Sequence, residues 1–264
     1  MMNIKLFLYF VKLVIKSRME YRGAFMIGAV GQVLGYGANY LVIWLLLQSF
    51  TTINGWGWTE IAFLYSLNLL TYAIGASFTY TPMVSLDQII INGDFDKYLT
   101  KPLSPFMYFI ANLFNIGYVA HILISLSVLL WSISHADISW TILKVIYLIL
   151  VIISGSFLQA SALIIIGSLS FKFLRVQYLF SIFFKIKEFI AYPISIYSIF
   201  LQIILTWIIP IAMINYYPSL YLFNNEILEN QLFGIVALII GPLSFYLSQK
   251  AWMRGVNKYQ GAGG

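Results

Sequence analysis

Residues 140–171, WTILKVIYLILVIISGSFLQASALIIIGSLSF, carry a single charged side chain, that of Lys144. A helix crosses the hydrocarbon core of a bilayer with about 20 mostly apolar residues, so this stretch predicts a membrane-spanning helix. The whole chain of 264 residues has the same character, because 61% of it is hydrophobic and 9% is charged, against roughly 25% charged in soluble domains. The sequence therefore predicts an all-α, multi-pass membrane protein that forms a single transmembrane domain over residues 1–264.

Six stretches are long and apolar enough to span a membrane. The predicted spans are residues 24–50, 61–83, 106–133, 140–171, 193–217 and 232–249. Between the fourth and fifth, residues 172–192 contain Lys185, Lys187 and Glu188, and their apolar part is too short to cross as a helix. We assign residues 172–192 to a linker on the cytoplasmic side.

Lysine and arginine divide very unequally between the two sides of these six spans. One side holds Lys5, Lys12, Lys16, Arg18, Arg22, Lys97, Lys101, Lys172, Arg175, Lys185, Lys187, Lys250, Arg254 and Lys258, and the other side holds only Lys144. Short cytoplasmic loops are enriched in basic residues, so both termini are predicted to be cytoplasmic.

Residues 1–23 have the pattern of an amphipathic helix. On a helical wheel one narrow arc holds Lys5, Lys12, Lys16 and Glu20, and away from it lie Leu6, Phe7, Phe10, Leu13 and Val14. Such a helix is expected to lie in the inner interface of the membrane. The alternative is a cytoplasmic extension of the first span.

The sequence lacks the common motifs of catalysis and cofactor binding. It contains no G-x-x-x-x-G-K-[ST] phosphate loop, no H-E-x-x-H and no G-x-S-x-G, no cysteine, and two histidines. We expect no catalysis, no metal and no cofactor bound by this chain. The pI near 9.3 fits basic cytoplasmic loops, and no nucleic-acid partner is predicted.

Residues 84–105 form a charged segment between the second and third spans. Apolar side chains that a partner could bury are Ile89, Ile90, Phe95, Tyr98 and Leu99, and charges that could fix the register of docking are Asp87, Asp94, Asp96, Lys97 and Lys101. Gly93 permits a backbone reversal, and Pro102 and Pro105 stiffen the return into the third span. The alternative is a solvated loop whose charges anchor the inner interface.

Part of this segment, IINGDFDKYLTKPLSP (residues 90–105), resembles the loop between spans two and three of the type 2 ATP-binding-cassette permeases. Residues 192–218, YPISIYSIFLQIILTWIIPIAMINYYP, and residues 252–263, WMRGVNKYQGAG, are similar to the same six-helix half-permease subfamily. The three segments follow in the family's order along most of the chain.

The resemblance implies a permease that pairs with a second copy or a sister permease and with separate cytoplasmic ATP-binding subunits. ATP and magnesium would bind those ATPase subunits. It also implies that the charged segment couples ATPase movement to the spans. The residues assigned to coupling are Asp87, Ile90, Gly93, Asp94, Phe95, Asp96, Lys97, Tyr98, Leu99, Lys101 and Pro102.

Residues 193–217 contain Pro210 inside an apolar run, which predicts a kinked or broken helix near Ile209. The resemblance adds a short re-entrant structure on the outer side within residues 216–231. The alternative there is a plain outer loop.

Polar side chains within spans tend to face a cavity or another helix. The candidates for a translocation path are Asn39, Asn68, Asn112, Asn115, Gln159 and Gln202. Asn112 and Asn115 are predicted on one helical face of the third span. The alternative is that these groups only hydrogen-bond neighbouring helices. Four glycines, Gly28, Gly31, Gly35 and Gly37, suit span one to a dimer interface or a mobile seam.

The function expected from the resemblance is that of the membrane subunit of an ATP-driven exporter, which moves a hydrophobic or amphiphilic substrate by alternating access. We expect it in the inner (plasma) membrane, and the composition favours a bacterial source. Two alternatives stay open: an ion-coupled transporter or channel, and a non-transporting anchor or sensor for an ATPase.

Overall fold

A computed structural model describes residues 4–49, 52–173, 175–223 and 228–260. Within these residues all long regular elements are helices. They are α1 (Ile4–Met19), α2 (Arg22–Ser49), α3 (Trp58–Ile91), α4 (Asp96–Leu99), α5 (Pro105–Asn112), α6 (Val119–His135), α7 (Ile142–Ser168), α8 (Gln177–Glu188), α9 (Ile199–Ile203), α10 (Tyr216–Leu222) and α11 (Leu228–Val256). Parts of the predicted segments 1–23, 24–50, 172–192 and 216–231 lie outside the described residues.

Five helical stretches are long and apolar enough to cross a membrane. They are Arg22–Leu45, Trp58–Ile91, Ile116–His135, Ile142–Phe171 and Gln231–Val256. A bent pair, Ile199–Ile208 with Ile211–Leu222, brings the number to six if it is counted as one span. The prediction of an all-α membrane protein is confirmed.

Helix α3 is the centre of the fold. In its most apolar window 83% of the residues are buried, whereas the corresponding window of α2 is only 11% buried. Helix α7 packs between α3 and α11, and α6 packs on another side of α3. Because α2, α6 and α7 all contact α3, depth in the membrane can be measured along it.

Depth along α3 follows from the rise of a helix, 1.5 Å per residue. A hydrocarbon core about 30 Å thick takes about 20 residues, which from Trp58 reaches Phe78. At that depth the ring of Phe78 stacks on Phe7 of α1, with centroids 6.0 Å apart. Helix α1 is thus level with this boundary, and α3 continues beyond it to Ile91. We call the two membrane faces the Trp58 side and the Ile91 side.

Helix α8 packs beside the part of α3 that we place at membrane depth, although residues 172–192 were predicted to be a cytoplasmic linker. Phe184 contacts Tyr80 and Tyr72 of α3, with ring centroids 5.9 Å apart in both pairs. Further along, the carbonyls of Ile190 and Leu64 accept hydrogen bonds from one amide group. The helix therefore runs beside α3 from its Ile91 side towards Trp58.

The predicted fifth span, residues 193–217, is instead broken. A π-helical turn, Ile204–Ile208, ends where the Ile209 amide donates to the Ile204 carbonyl over 2.8 Å. The two arms meet at 75° across Ile209 and Pro210. The predicted break near Ile209 is therefore confirmed, and its cause is the proline, which cannot continue the hydrogen-bond ladder.

Both arms of this bent pair lie in the Trp58 half of the molecule. Trp207 from the first arm and Tyr217 from the second contact Phe233, near the start of α11, at 5.5 and 4.7 Å between ring centroids. The second arm ends at Leu222, whose carbonyl accepts from Lys144 at the start of α7. This packing favours a re-entrant pair over a crossing.

The third predicted span, residues 106–133, is also broken. Helix α5 ends at Asn112, and a 3₁₀ turn, Ile116–Tyr118, begins α6. Between them the Asn115 amide donates to the Ser77 carbonyl over 2.8 Å, and the Asn115 side chain accepts from Gly117. Asn112 and Asn115 therefore do not share a helical face, because the chain turns between them.

Asn215 ties three elements together at the Trp58 side. It is fully buried, and its Nδ2 donates to the carbonyls of Leu64 (3.0 Å) and Ile190 (2.7 Å). We expect Asn215→Leu to lose about 1–3 kcal/mol of stability, since the two buried hydrogen bonds to the carbonyls of Leu64 and Ile190 would be lost. A fall in the thermal midpoint (Tm) in mild detergent measures this. The exposed Asn92 gives the control Asn92→Leu, and an equal fall in both variants would contradict the tie.

Candidate functional site

A polar cavity of about 410 Å³ lies between α2, α3 and α8. Its lining residues are Tyr36, Asn39, Val42 and Ile43 of α2, Tyr65, Asn68 and Leu69 of α3, Phe184, Lys187 and Glu188 of α8, and Ala191 and Tyr192 after it. Asn68 lies about 15 Å along α3 from Trp58, at the middle of the hydrocarbon core. The volume is in the range of small-ligand pockets.

Charged side chains reach this cavity from α8. The Lys187 ammonium lies 3.5 Å from the centroid of the Tyr72 ring, in a cation–π contact. On the two sides of Lys187 in the sequence, Lys185 and Glu188 form an ion pair of 3.7 Å and are both exposed. The cavity thus combines a positive group, amide side chains and tyrosine rings at membrane depth.

The wall behind Asn68 is a buried hydrogen-bond network that links α3 to α7. Gln159 of α7 donates through Nε2 to the Asn68 carbonyl (2.9 Å), to Asn68 Oδ1 (3.3 Å) and to Thr71 Oγ1 (2.8 Å). Gly155 lies beside Thr71, where an added Cβ would stand 2.8 Å from the Thr71 methyl group. Close packing and the network together hold the Asn68 side chain at the cavity wall.

The six residues proposed for the translocation path separate into distinct groups. Asn39 and Asn68 line the cavity, and Gln159 supports Asn68 from behind. Gln202 lines a different groove, between α9 and α11, and donates to the Tyr197 carbonyl.

Asn112 and Asn115 serve local contacts instead. Asn112 donates to the Tyr98 hydroxyl (3.4 Å), and Asn115 donates to Thr81 Oγ1 (3.1 Å). Neither residue lines the cavity.

Sequence reasoning missed Lys187, Glu188 and the tyrosines of the cavity. It placed the charges of α8 outside the membrane because the apolar run before them is short. One signal could have found the helix: the buried residues Phe180, Phe183 and Ile190 follow the spacing of one helical face that points to α3.

The segment assigned to coupling is folded around a tight turn on the Ile91 side. Residues 84–91 continue α3, and the reversal follows at Gly93, whose φ of 75° favours glycine. The short helix α4 then leads to α5, which begins at Pro105. The segment is therefore an ordered helical element.

Phe95 and Tyr98 are buried in this chain, which corrects their interpretation as anchors offered to a partner. Phe95 has no exposed surface and Tyr98 is 1% exposed. The Phe95 ring contacts Trp252 and Phe171, with centroids 6.0 and 5.2 Å away. Burial also raises the pKa of Tyr98. Phe95 fixes the segment to the ends of α7 and α11, whereas Tyr98 packs on Tyr108 and Phe109 of α5. A partner cannot reach either side chain in this conformation.

Asp87 is also buried. It is 1% exposed, and its Oδ1 accepts from the Gln88 amide over 2.8 Å. It lies at a cavity of about 490 Å³ that Arg175 and Tyr178 also line. It is not a free surface charge that could set the register of docking.

The remaining side chains form an exposed surface, which we call the α4 surface. Its members are Ile91, Asn92, Asp94, Asp96, Lys97, Leu99, Thr100, Lys101 and Pro102. Asp94 and Lys97 lie 4.0 Å apart across it, each about half exposed. Charges of both signs around apolar Ile91 and Leu99 suit a polar docking surface.

Comparison with known families matches residues 33–263 to the model of the ABC-2 family transporter protein. The chain belongs to the ABC-2 transporter family and is a multi-pass membrane protein of the permease type. The comparisons with curated proteins and with solved structures find no match.

Proposed function

We propose that the chain is the membrane-spanning permease subunit of an ATP-driven exporter, powered by separate ATP-binding subunits that hold ATP and magnesium. The observation that carries the proposal is a polar cavity at membrane depth in a chain of the ABC-2 family. Asn39, Asn68 and Lys187 would contact an amphiphilic substrate there. The location we propose is a bacterial plasma membrane.

Two copies, or this chain and a sister permease, would enclose the path. The exposed face of α2 supports this, since an added Cβ at Gly28, Gly31 or Gly35 would have no atom within 4 Å. Small residues allow two helices in a membrane to approach closely. The α4 surface, on the Ile91 side, would receive the ATPase.

The exporter proposal is tested in proteoliposomes that contain the permease and the ATPase that purifies with it. Export of an amphiphilic dye should require ATP and should stop when the ATPase phosphate-loop lysine is replaced. Dye movement that follows an imposed proton gradient and ignores ATP would overturn the proposal.

An ion-coupled transporter is the second candidate, favoured by Lys187 and Glu188 at membrane depth. Charged groups inside spans mark ion and proton pathways in such proteins. The same proteoliposomes decide between the two, because only this candidate predicts transport without an ATPase.

Lys101→Glu is expected to weaken ATPase association at least fivefold, because it reverses a charge on the α4 surface. Pull-down of the ATPase with tagged permease, at equal permease amounts, measures the effect. The control Asp137→Lys reverses an exposed charge on the Trp58 side and should leave association unchanged. If Lys101→Glu retains full association, the α4 surface is not the docking site.

A further inference from the structure

Lys187 is a cation at membrane depth with an incomplete set of partners. Among the described residues, no carboxylate lies within 4.0 Å of its ammonium group, since the two ion pairs formed there are Asp94–Lys97 and Lys185–Glu188. Its contact is the face of Tyr72, 3.5 Å away. A single aromatic face compensates a desolvated ammonium only in part, so the site has capacity for an anion.

The surroundings hold the Lys187 side chain towards the cavity. The Tyr72 ring is fixed by its hydroxyl, 3.2 Å from that of Tyr118, and by an edge contact with Phe184. The Tyr72 ring therefore covers the side of the ammonium that faces α3. The open direction is the cavity, whose wall Lys187 forms.

The rest of the cavity suits the remainder of an amphiphile. Asn39 and Asn68 offer amide groups beside the lysine, whereas Val42, Ile43 and Leu69 form an apolar part of the wall. Of the charged groups that α8 brings to this region, Glu188 is neutralised by Lys185 over 3.7 Å, which leaves one positive charge unmatched.

We propose that this cavity binds the anionic head group, a carboxylate or a phosphate, of an amphiphilic substrate, with the Lys187 ammonium as its counter-ion. That this amphiphile is a substrate rests on the proposed transport function. The anion site itself is inferred from the contacts of Lys187 and does not depend on that function. It makes Lys187 the residue that selects anionic over cationic amphiphiles.

The test uses the full-length permease alone, in nanodiscs of phosphatidylcholine, with photoreactive dodecyl phosphate, dodecanoate and dodecyltrimethylammonium as probes. Crosslinked residues are located by mass spectrometry. We expect both anionic probes to label the cavity walls at concentrations at least tenfold lower than the cationic probe does. Equal labelling by all three probes would overturn the proposal.

The matched variants are Lys187→Gln and Lys172→Gln, which each remove one lysine charge. Lys172 is exposed, precedes α8 and does not line the cavity. Lys187→Gln should weaken labelling by the anionic probes at least tenfold and leave the cationic probe unaffected. Lys172→Gln should change labelling by less than twofold. Equal losses in both variants would show that only general surface charge matters and would overturn the assignment.

Lys187→Arg keeps the positive charge and should keep at least half of the labelling by the anionic probes. It also provides a second variant to measure if Lys187→Gln does not fold. Loss of labelling in a folded Lys187→Arg protein would count against a counter-ion role.

Competition by inorganic phosphate indicates a site for a free anion, and competition by phosphatidylglycerol indicates one for a lipid head group. Because no ATPase is present, these results stand apart from the test of ATP-driven export.

Discussion

Gly241→Ala is expected to lower the Tm by about 10 °C and to remove most of the monodisperse protein. Helix α11 crosses α7 so closely at this point that a Cβ on Gly241 would meet the carbonyl oxygen of Ser154. The Ser154 hydroxyl also donates to the Ala237 carbonyl across the same contact, over 2.5 Å. The backbone of α7 cannot move aside as a flexible side chain does, so the two helices must separate. The loss of stability should exceed the roughly 1–3 kcal/mol that one extra methylene usually costs in a packed core.

The control for this variant is Gly23→Ala, the same substitution in the first turn of α2, away from the glycines proposed for the interface between copies. An added Cβ at Gly23 has no atom within 4 Å, and alanine favours a helix interior by about 1 kcal/mol over glycine. The control should therefore be neutral or slightly stabilising. Size-exclusion profiles and thermal unfolding of both proteins measure the difference. A stable Gly241→Ala protein would mean that α7 and α11 are not packed this closely.

Phe95→Ala is the second variant with a large expected effect. The fully buried ring packs on Trp252, Phe171 and Phe109, so its removal leaves a cavity and costs about 3–5 kcal/mol. We expect a fall in Tm of about 10 °C. ATPase association should fall as well, because the α4 surface loses its fixed position.

Two further variants distinguish a packing role of Phe95 from a docking role. Phe95→Leu retains much of the volume and should recover most of the stability and association together. Leu99→Ala, on the exposed side of the same short helix, should leave the Tm within about 1–2 °C. An unchanged Tm with lost association in Phe95→Ala would instead restore Phe95 as a partner's anchor.

Most of the architecture follows from the sequence, because long apolar runs have few alternatives in a membrane. Helices α2, α3, α7 and α11 lie within or around four predicted spans. The break near Ile209 was predictable from Pro210, which leaves a local signature. The break between α5 and α6 carries no proline, and its cause is a tertiary contact of Asn115 with Ser77.

The packing of α8 could not be predicted from the sequence, because hydropathy averages over all faces of a helix. One side of α8 contacts α7 and, through Phe184, α3, and the other carries Lys185 and Glu188, both exposed. Such a helix is stable at membrane depth when its polar face meets a water-filled cavity. The sequence alone does not tell this case from an interfacial helix.

Only some of the residues at the cavity and in the charged segment could be interpreted correctly from the sequence. Asn39 and Asn68, two of the residues predicted for a translocation path, line the cavity, and the sequence singles them out because each is an amide inside an apolar run. Phe95 and Tyr98 were misassigned because apolar residues in a charged loop suit a partner's groove and this chain's own core equally well. Only the positions of Trp252 and Phe171, distant in sequence, decide that question.

The long helix α3 connects the cavity to the α4 surface as one rod. From Tyr72, beside the cavity, to Ile91, before the α4 surface, the helix extends about 29 Å without leaving its helical path. A tilt of about 10° around Tyr72 would move the Ile91 end by about 5 Å. Pro82, the single proline inside α3, removes one backbone hydrogen bond from this rod and is the point where it bends most easily. The stiffness of α3 between Tyr72 and Ile91 therefore sets how much of a displacement at the α4 surface is transmitted to the cavity.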